Sequence, residues 1–509
     1  MALHSILASA SQLSTAQLAG VFLFVPVLLT LATIFYRLGP LYPLSGTPGP
    51  LLPRLTGLPI LYHAYIGDEA KWVHSLHERY GAIVRLAPNW VDFRDVRALH
   101  PIYHEKGGFA KASHYRNFDV DGHATIFSNT IHQERSLRAK AVIQMFSVAN
   151  CKKNAHYFKA SLSRFIEQCQ RDKESGRVQM LDLARGMGID AVTEYLFGIS
   201  FDGLREYADA SSKLDAKCDQ PPRMSASAFV DAFTASSRLL YCSKWLYTLA
   251  DRIDGFFFPN PELPSSAASL ESFTRIVMAN ARTTIDSGNS KTSETSETFP
   301  VRLLRAGFSP AEVAAQCKDI MFAATDTLGM NISTACFMLA KFPETYQKLS
   351  AEIEAATIKS DDDIHQLPYL NAVVRETLRM SMTNPCEFPR QVGASGWAFD
   401  NVFYPPGTTV SCSATEMHFY SGIYEDAFAF KPERWLHATE IMQKALMSFG
   451  VGSRQCIAKG MSLWALNLVI YEVAKENILG GLKVSSEKIE LLEGFSSRVV
   501  GGSIDLVRE

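Results

Sequence analysis

The sequence lacks both glycine-rich patterns that commonly hold nucleotides: neither Gly-x-Gly-x-x-Gly nor a Walker-type loop occurs in its 509 residues. Dinucleotide or nucleoside triphosphate sites of these kinds are therefore not expected. Neither sign of charge is in excess, because 50 basic and 52 acidic residues give a formal net charge of −2, and nucleic-acid binding has no electrostatic basis. Nine cysteines occur without close pairing, which argues against a disulfide framework and is typical of a reducing compartment.

Charge is also missing from the N-terminal segment, where no Lys, Arg, Asp or Glu precedes Arg37. Residues 17–36 form an apolar run long enough to span a bilayer, and Pro26 within it is tolerable in a membrane helix. The alternative is a cleaved signal peptide, whose positive n-region and small-residue cleavage site are absent. The pattern predicts one transmembrane helix, with Arg37 on the cytosolic flank.

The rest of the chain predicts one large domain. Its 47% apolar content is enough to bury a large core, and no internal repeat or long linker divides it. Helical patterning dominates, while strand-like runs occur near residues 82–93, near 397–413 and at the C-terminus. We expect a mainly α fold with small β-sheets in residues 41–509, preceded by a membrane anchor and hinge in residues 1–40.

The most informative segment is residues 449–456, which read Phe-Gly-Val-Gly-Ser-Arg-Gln-Cys. Gly452 allows a tight turn, and Cys456 then stands at the start of an apolar helical run, where the helix dipole favours a thiolate. Such a thiolate can be the axial ligand of a haem iron. Arg454 would pair with a haem propionate and Phe449 would shield the sulfur. The alternative is a buried free cysteine beside a turn.

This segment resembles the haem-binding loop of the cytochrome P450 family. The segment after Arg37, which ends Pro48-Gly49-Pro50, resembles the Pro/Gly hinge of microsomal members, particularly filamentous-fungal ones. One position departs from the family pattern, because Ala458 stands where a glycine is usual. The resemblance implies the P450 fold and a haem b whose iron is bound by Cys456.

Two further segments match the family in the expected order upstream of the cysteine. Glu376 and Arg379 supply a Glu-x-x-Arg pattern, and Arg434 belongs to a Pro-Glu-Arg segment. The resemblance implies that these three side chains form a buried charge triad with a structural role. The alternative interpretation, which the order of the segments disfavours, is that Glu376 and Arg379 form a solvent-exposed ion pair on a helix face.

A long uninterrupted helix is expected from Ser309, at its N-cap, to Phe342, just before Pro343. The resemblance places the middle of this helix over the haem, with small residues at Ala323 and Ala324 and a proton-delivering pair at Asp326 and Thr327. Ala324 replaces the common glycine, and Leu328 a frequent second hydroxyl residue. The alternative for Thr327 is a hydroxyl bonded to the carbonyl four residues earlier.

Weaker correspondences complete the site. The resemblance implies that Arg390 and Arg138 contact haem propionates, with Arg135 as the neighbouring candidate to Arg138. It also implies an apolar, substrate-lining wall formed by Phe127, Ala323, Phe388 and Phe495.

The resemblance implies a haem-thiolate monooxygenase of the endoplasmic reticulum membrane, single-pass, with a cytosolic catalytic domain. Electrons would come from NADPH through NADPH-cytochrome P450 reductase, with cytochrome b5 as a further candidate donor. The expected reaction is hydroxylation of a lipophilic molecule, a terpenoid or a polyketide of fungal secondary metabolism. Two alternatives stay open: a haem-thiolate isomerase or dehydratase, and a non-catalytic membrane haem protein.

Overall fold

The computed structural model of the chain describes residues 15–105, 108–212, 224–257, 263–287 and 297–508. The first fourteen residues of the predicted anchor lie outside these ranges. Helix α1 (Thr15–Leu38) includes the apolar run at residues 17–36. Among the helices in the described ranges, none is both long enough and apolar enough to cross a bilayer.

The architecture is mainly helical, as predicted. The further helices are α2 (Leu51–Leu55), α3 (Leu58–Ile66), α4 (Glu69–Tyr80), α5 (Val96–Tyr103), α6 (His132–Val142), α7 (Val148–Lys153), α8 (Ala155–Ser175), α9 (Met180–Phe197), α10 (Gly203–Ser212), α11 (Ser225–Ser236), α12 (Lys244–Phe257), α13 (Leu263–Asp286), α14 (Phe299–Arg305), α15 (Pro310–Lys341), α16 (Pro343–Ala355), α17 (Asp361–Ile364), α18 (Pro368–Met380), α19 (Ala414–His418), α20 (Glu440–Ala445) and α21 (Lys459–Lys475).

The β-structure is confined to small sheets. The strands are β1 (Ile83–Ala87), β2 (Trp90–Phe93), β3 (Ala110–Lys111), β4 (Arg177–Gln179), β5 (Arg390–Gln391), β6 (Trp397–Phe399), β7 (Val402–Tyr404), β8 (Thr409–Ser411), β9 (Leu482–Val484), β10 (Leu491–Leu492), β11 (Arg498–Val499) and β12 (Asp505–Arg508). The largest sheet has the order β1-β2-β8-β5-β3, and a second has the order β4-β12-β9. Strands at 83–93, in 397–413 and at the C-terminus lie where the sequence predicts them.

Helix α15 runs through the largest core cluster and has the predicted bounds. Ser309 and Glu312 form a reciprocal capping box at its start, and the helix ends immediately before Phe342 and Pro343. It packs closely on α9, because a Cβ added to Gly329 would lie 2.6 Å from Cγ of Arg185. This packing holds the middle of α15 as a rigid wall for the site described next.

Candidate active site

The loop before α21 places Cys456 by backbone geometry. The Cys456 N–H donates to the Phe449 carbonyl at 2.9 Å, and the Gln455 N–H donates to the Gly452 carbonyl at 3.0 Å. Gly452 has φ +75°, and a Cβ there would lie 1.8 Å from the carbonyl oxygen of Tyr103. The turn predicted at Gly452 therefore requires glycine for both its backbone conformation and its close contact.

Cys456 stands on the wall of an internal cavity of about 310 Å³. Its side chain keeps accessible surface because it faces this cavity, while its position inside the protein desolvates the sulfur. Burial raises the pKa of the Cys456 thiol, opposed by the Ala458 N–H and the charge of Lys459. Among the eight cysteines that the structure describes, it is the exposed one and the one that lines the cavity. A cation bound at the sulfur would offset the desolvation and favour the thiolate.

Four basic side chains line the same cavity: Lys111, Arg135, Arg390 and Arg454. Lys111 donates to the Phe127 carbonyl at 2.7 Å and Arg454 to the Asn129 carbonyl at 2.8 Å. None of the four forms a salt bridge with another described residue.

Their charges repel one another. Burial and the nearby guanidinium groups of Arg390 and Arg454 hold the pKa of Lys111 well below its usual value. Burial, with Arg135 and Arg390, lowers the pKa of Arg454 to about 10. Uncompensated buried cations are costly, so this cluster is complete only with anions beside it. The two carboxylates of a haem supply such anions, and the donor set therefore fits a haem whose iron meets Cys456.

Arg138, expected from the sequence to contact a propionate, is not among the residues that line this cavity. Its guanidinium forms a 2.8 Å salt bridge with Glu312, the capping residue of α15, and lies over the Phe308 ring. Arg135, on the same helix α6, reaches the cavity in its place. No sequence pattern indicates that Glu312 would lie close enough to form a salt bridge with Arg138.

Helix α15 forms the cavity wall that carries Ala323, Ala324 and Thr327. The Thr327 hydroxyl donates to the Ala323 carbonyl at 2.8 Å, as in the alternative stated above. Its oxygen lone pairs remain available as acceptors, and its proton can be redirected by rotation of the hydroxyl. The local hydrogen bond is therefore compatible with a role in the cavity.

Asp326 lies behind that wall. Its Oδ1 accepts from Arg185 at 3.2 Å, and Arg185 also pairs with Asp231 at 3.1 Å. Burial raises the pKa of Asp326 to about 6, opposed by Arg185 and by the Ser496 side chain. Ser496 lines the cavity, and its side chain lies close to Asp326. The Oδ2 atom has no partner with full hydrogen-bond geometry among the described residues.

The Glu376, Arg379 and Arg434 side chains come together in the interior. Glu376 and Arg379 form two parallel hydrogen bonds of 2.8 and 2.9 Å, and Arg434 Nε donates to Glu376 at 3.1 Å. The Trp435 indole N–H also donates to Glu376 at 2.8 Å, a contact that the motif did not predict. Each carboxylate oxygen is satisfied, so the group can hold α18 against the Pro432–Trp435 turn.

The four side chains expected to line the substrate space, Phe127, Ala323, Phe388 and Phe495, all border the cavity. The Phe127 and Phe495 rings lie 5.4 Å apart, and Phe388 lies 6.2 Å from Phe495. The structure also places Lys111 and Asp319 on the wall. Neither position has a sequence signal, because Lys111 lies in a strand of only two residues and Asp319 is a single acid within a long helix.

A match to the cytochrome P450 family covers residues 48–475. The chain is 32% identical over 501 residues to the cytochrome P450 monooxygenase mfmF of Annulohypoxylon moriforme, covering 94% of this chain and 98% of that protein. It is 26% identical to the cytochrome P450 monooxygenase AKT7 of Alternaria alternata, covering 86% and 84%. It is 24% identical to pisatin demethylase of Fusarium vanettenii, covering 85% and 83%.

These matches span nearly the whole described domain, including the cysteine loop and α15. The chain therefore belongs to the cytochrome P450 family, and it is an oxidoreductase of the monooxygenase class with a haem-thiolate iron cofactor.

Proposed function

We propose that Cys456 is the axial thiolate ligand and that the protein hydroxylates a lipophilic small molecule held between the Cys456 loop and α15. The observation that carries this proposal is the position of Cys456 on the cavity wall, in a cavity that Thr327 also lines. When bound, the haem supplies oxygen activation, with electrons from a redox partner. A reductase that uses NADPH is the proposed donor, with cytochrome b5 as a second candidate.

The residues around the cavity would hold the cofactor by complementary charge. Arg454 and Arg390 would bind the propionates as expected from the sequence, joined by Arg135 and Lys111. Arg138 is not proposed as a contact. Phe449 and Gly452 would shape the sulfur side of the site, while Glu376, Arg379 and Arg434 hold the scaffold behind it.

Thr327 and Asp326 would serve proton delivery on the opposite wall. The Thr327 hydroxyl can hold a proton at the cavity surface, and Asp326 can exchange one through Ser496 because its pKa lies near neutrality. An isomerase or dehydratase would not need this pair. Its presence favours a monooxygenase over that alternative, and over a haem protein without turnover.

The proposed substrate is a terpenoid, or a polyketide, of fungal secondary metabolism. Its support is the apolar wall, which includes Phe127, Phe233 and Phe495, and the likeness to fungal monooxygenases. One of these fungal relatives is named pisatin demethylase.

Residues 41–509 are the proposed catalytic domain, with residues 1–40 as its anchor and hinge in the endoplasmic reticulum membrane. The apolar run at residues 17–36 supports an anchor. Exposed apolar side chains on α3 and α12, including Leu58, Tyr62, Trp245 and Phe256, would add contact with the bilayer.

Replacement of the ligand tests the core of this proposal. Cys456→Ala should abolish the far-red-shifted Soret band of the reduced carbon monoxide complex, because that shift requires a thiolate on the iron. Cys242→Ser, at a half-buried cysteine outside the cavity wall, is the matched control and should keep the band. A Cys456→Ala protein that retains the band would show that another cysteine is the ligand.

A further inference from the structure

One carboxylate stands on the cavity wall without a salt bridge to any described residue. Asp319 lies on α15 one helical turn before Ala323 and two before Thr327, and its side chain is buried. Its neighbours on the wall include Ile320, Phe322 and Phe127. Apart from the cofactor pocket, this part of the cavity is mainly aromatic and aliphatic.

The polar contacts of Asp319 hold it in place but do not neutralise it. The Gln316 Nε2 group donates to Asp319 Oδ2 at 3.1 Å. The other end of that amide, Gln316 Oε1, accepts from the Ile126 N–H at 2.8 Å, which fixes the amide so that its NH₂ points at the acid. The Thr125 hydroxyl, which donates to Ser128 Oγ at 3.4 Å, also lies near Asp319.

No described residue forms a salt bridge with Asp319. Burial raises its pKa to about 6, and the side chains of Thr125 and Gln316 and the charge of Lys111 oppose this rise only in part. The group is therefore mostly ionised at neutral pH, with acceptor capacity left over in an apolar space. A carboxylate in that state gains from any donor that a bound molecule brings.

We propose that Asp319 is a specificity-determining residue that accepts a hydrogen bond from a hydroxyl or ammonium group of the substrate. The proposal rests on the function proposed above. Thr327 follows Asp319 by eight positions, which is about 12 Å along the helix. The preferred substrate is thus a lipophilic molecule whose donor group is remote from the part of it that lies against Thr327.

Matched probes of one chain length test this preference on the full-length, haem-loaded protein. The probes are 1-dodecanol, its methyl ether, which cannot donate, and dodecyltrimethylammonium, which carries charge without an N–H. Dissociation constants come from the substrate-induced Soret shift. The wild type should bind the alcohol about ten-fold more tightly than the ether, the usual effect of a hydrogen bond to a charged group.

Asp319→Leu should remove this preference, and Asp319→Asn, which keeps the shape, should reduce it. Asp121→Asn, at an exposed aspartate, is the control and should leave the ratio unchanged. A preference for the trimethylammonium probe over the alcohol that Asp319→Leu abolishes would show that Asp319 recognises charge without a hydrogen bond, and would contradict the proposed role as acceptor. Equal affinities for alcohol and ether, a ratio that survives Asp319→Leu, or no shift with any probe would likewise overturn the proposal.

The same samples distinguish this inference from the proposed function. A wild type without the far-red-shifted band of the reduced carbon monoxide complex would contradict thiolate ligation itself. A normal band combined with indifferent probe binding would contradict only the role of Asp319.

Discussion

The proposed role of the Thr327 hydroxyl is in oxygen activation and not in haem or substrate binding, so its removal should affect only the first. Thr327 shares its hydrogen-bond pattern with Thr325, whose hydroxyl donates to the Met321 carbonyl at 2.7 Å. The two residues differ in direction, since Thr327 borders the cavity and Thr325 is buried in the core. This pair therefore offers a test in which the chemical change is the same and only the direction of the side chain differs.

Thr327→Ala should keep the wild-type spectrum and substrate-induced shift, because neither requires the hydroxyl. It should release several-fold more hydrogen peroxide per product, since proton delivery at the cavity is disturbed. Peroxide, product and NADPH consumption with a reductase are the measurements, and Thr327→Ser should keep most of the coupling. Thr325→Ala serves as the control. Unchanged coupling in Thr327→Ala would mean that protons arrive by another route, and product formed without any electron donor would favour the isomerase.

At Gly452, the addition of a single methyl group should be enough to disturb the loop that carries Cys456. Gly452→Ala would place a Cβ against the Tyr103 carbonyl, and we expect a loss of about 2 kcal/mol or more in stability with reduced haem content. Gly450→Ala is the control, because its φ is +64° but no atom lies within 4 Å of its added Cβ. Equal haem content and unfolding temperature in the two variants would contradict a steric requirement.

For single residues, sequence patterns predicted which side chains belong to the site but not every contact that those side chains make. Cys456 and Thr327 could be assigned to the site because their neighbours in sequence carry the signal. Lys111, Asp319 and the pairing of Arg138 depend on residues far away in the chain. No local pattern encodes such contacts.

Helix α4, the segment before β5 and the Ser237–Leu239 turn meet at a buried pair of acids. Ligand-type atoms of Glu69, Cys386 and Glu387 all lie within 4.8 Å of one another, and Tyr241 donates to Glu69 at 2.5 Å. Burial, followed by the charge of Glu69, raises the pKa of Glu387 well above its usual value, and burial raises that of Glu69. The two carboxyls therefore cannot both ionise without cost, and the folded protein retains a proton there.

This pair predicts a stability that declines as pH rises. The folded state binds more protons than the unfolded state between the unfolded pKa, near 4.5, and the higher folded value, so stability is greatest below that window and falls across it. Glu387→Gln should match the wild type at pH 4.5 and gain unfolding temperature relative to it towards neutral pH. Thermal unfolding of the haem-loaded protein at several pH values measures this.

The exposed Glu440→Gln variant provides the comparison for that experiment. Its carboxyl has a pKa lowered by the hydrogen bond from Lys444, so its loss should give no gain at neutral pH. A Glu387→Gln protein whose stability falls further below that of the wild type as pH rises would show that the carboxyl pair stabilises the fold in its ionised form.

Elements with local signals were predicted well from the sequence. The bounds of α15 follow from a capping box and a proline, both of which act within a few residues. The pairing of the two-residue strands β3 and β5 could not be predicted, because it joins Lys111 to Arg390 across the chain. That same pairing brings two of the cavity's cations together.

At the scale of the molecule, the sequence predicted the fold class and the family but not the shape of the cavity. Its size depends on how α9, α11 and α15 pack, and on aromatic contacts such as Phe233 with Phe322. Such packing is a property of the assembled core and has no short sequence signature.

Attachment to a membrane is the remaining property of the whole molecule that experiment can test. Removal of residues 1–36 should release much of the protein from microsomal membranes while haem spectra stay unchanged, because the cavity residues all lie beyond residue 100. The deletion retains Arg37, whose guanidinium donates to the Leu55 carbonyl of α2.

Some affinity should remain after the deletion, because Trp245 and Phe256 on α12 are 69% and 78% exposed. Adding Trp245→Ser and Phe256→Ser to the truncated protein should lower the remaining membrane affinity further, without an effect on the spectra. Sedimentation with microsomes, with the reduced carbon monoxide spectrum of each fraction, measures both steps. Full-length protein found soluble in the culture medium would overturn the anchor and the cytosolic assignment together, because an uncleaved apolar segment should hold the chain at the membrane.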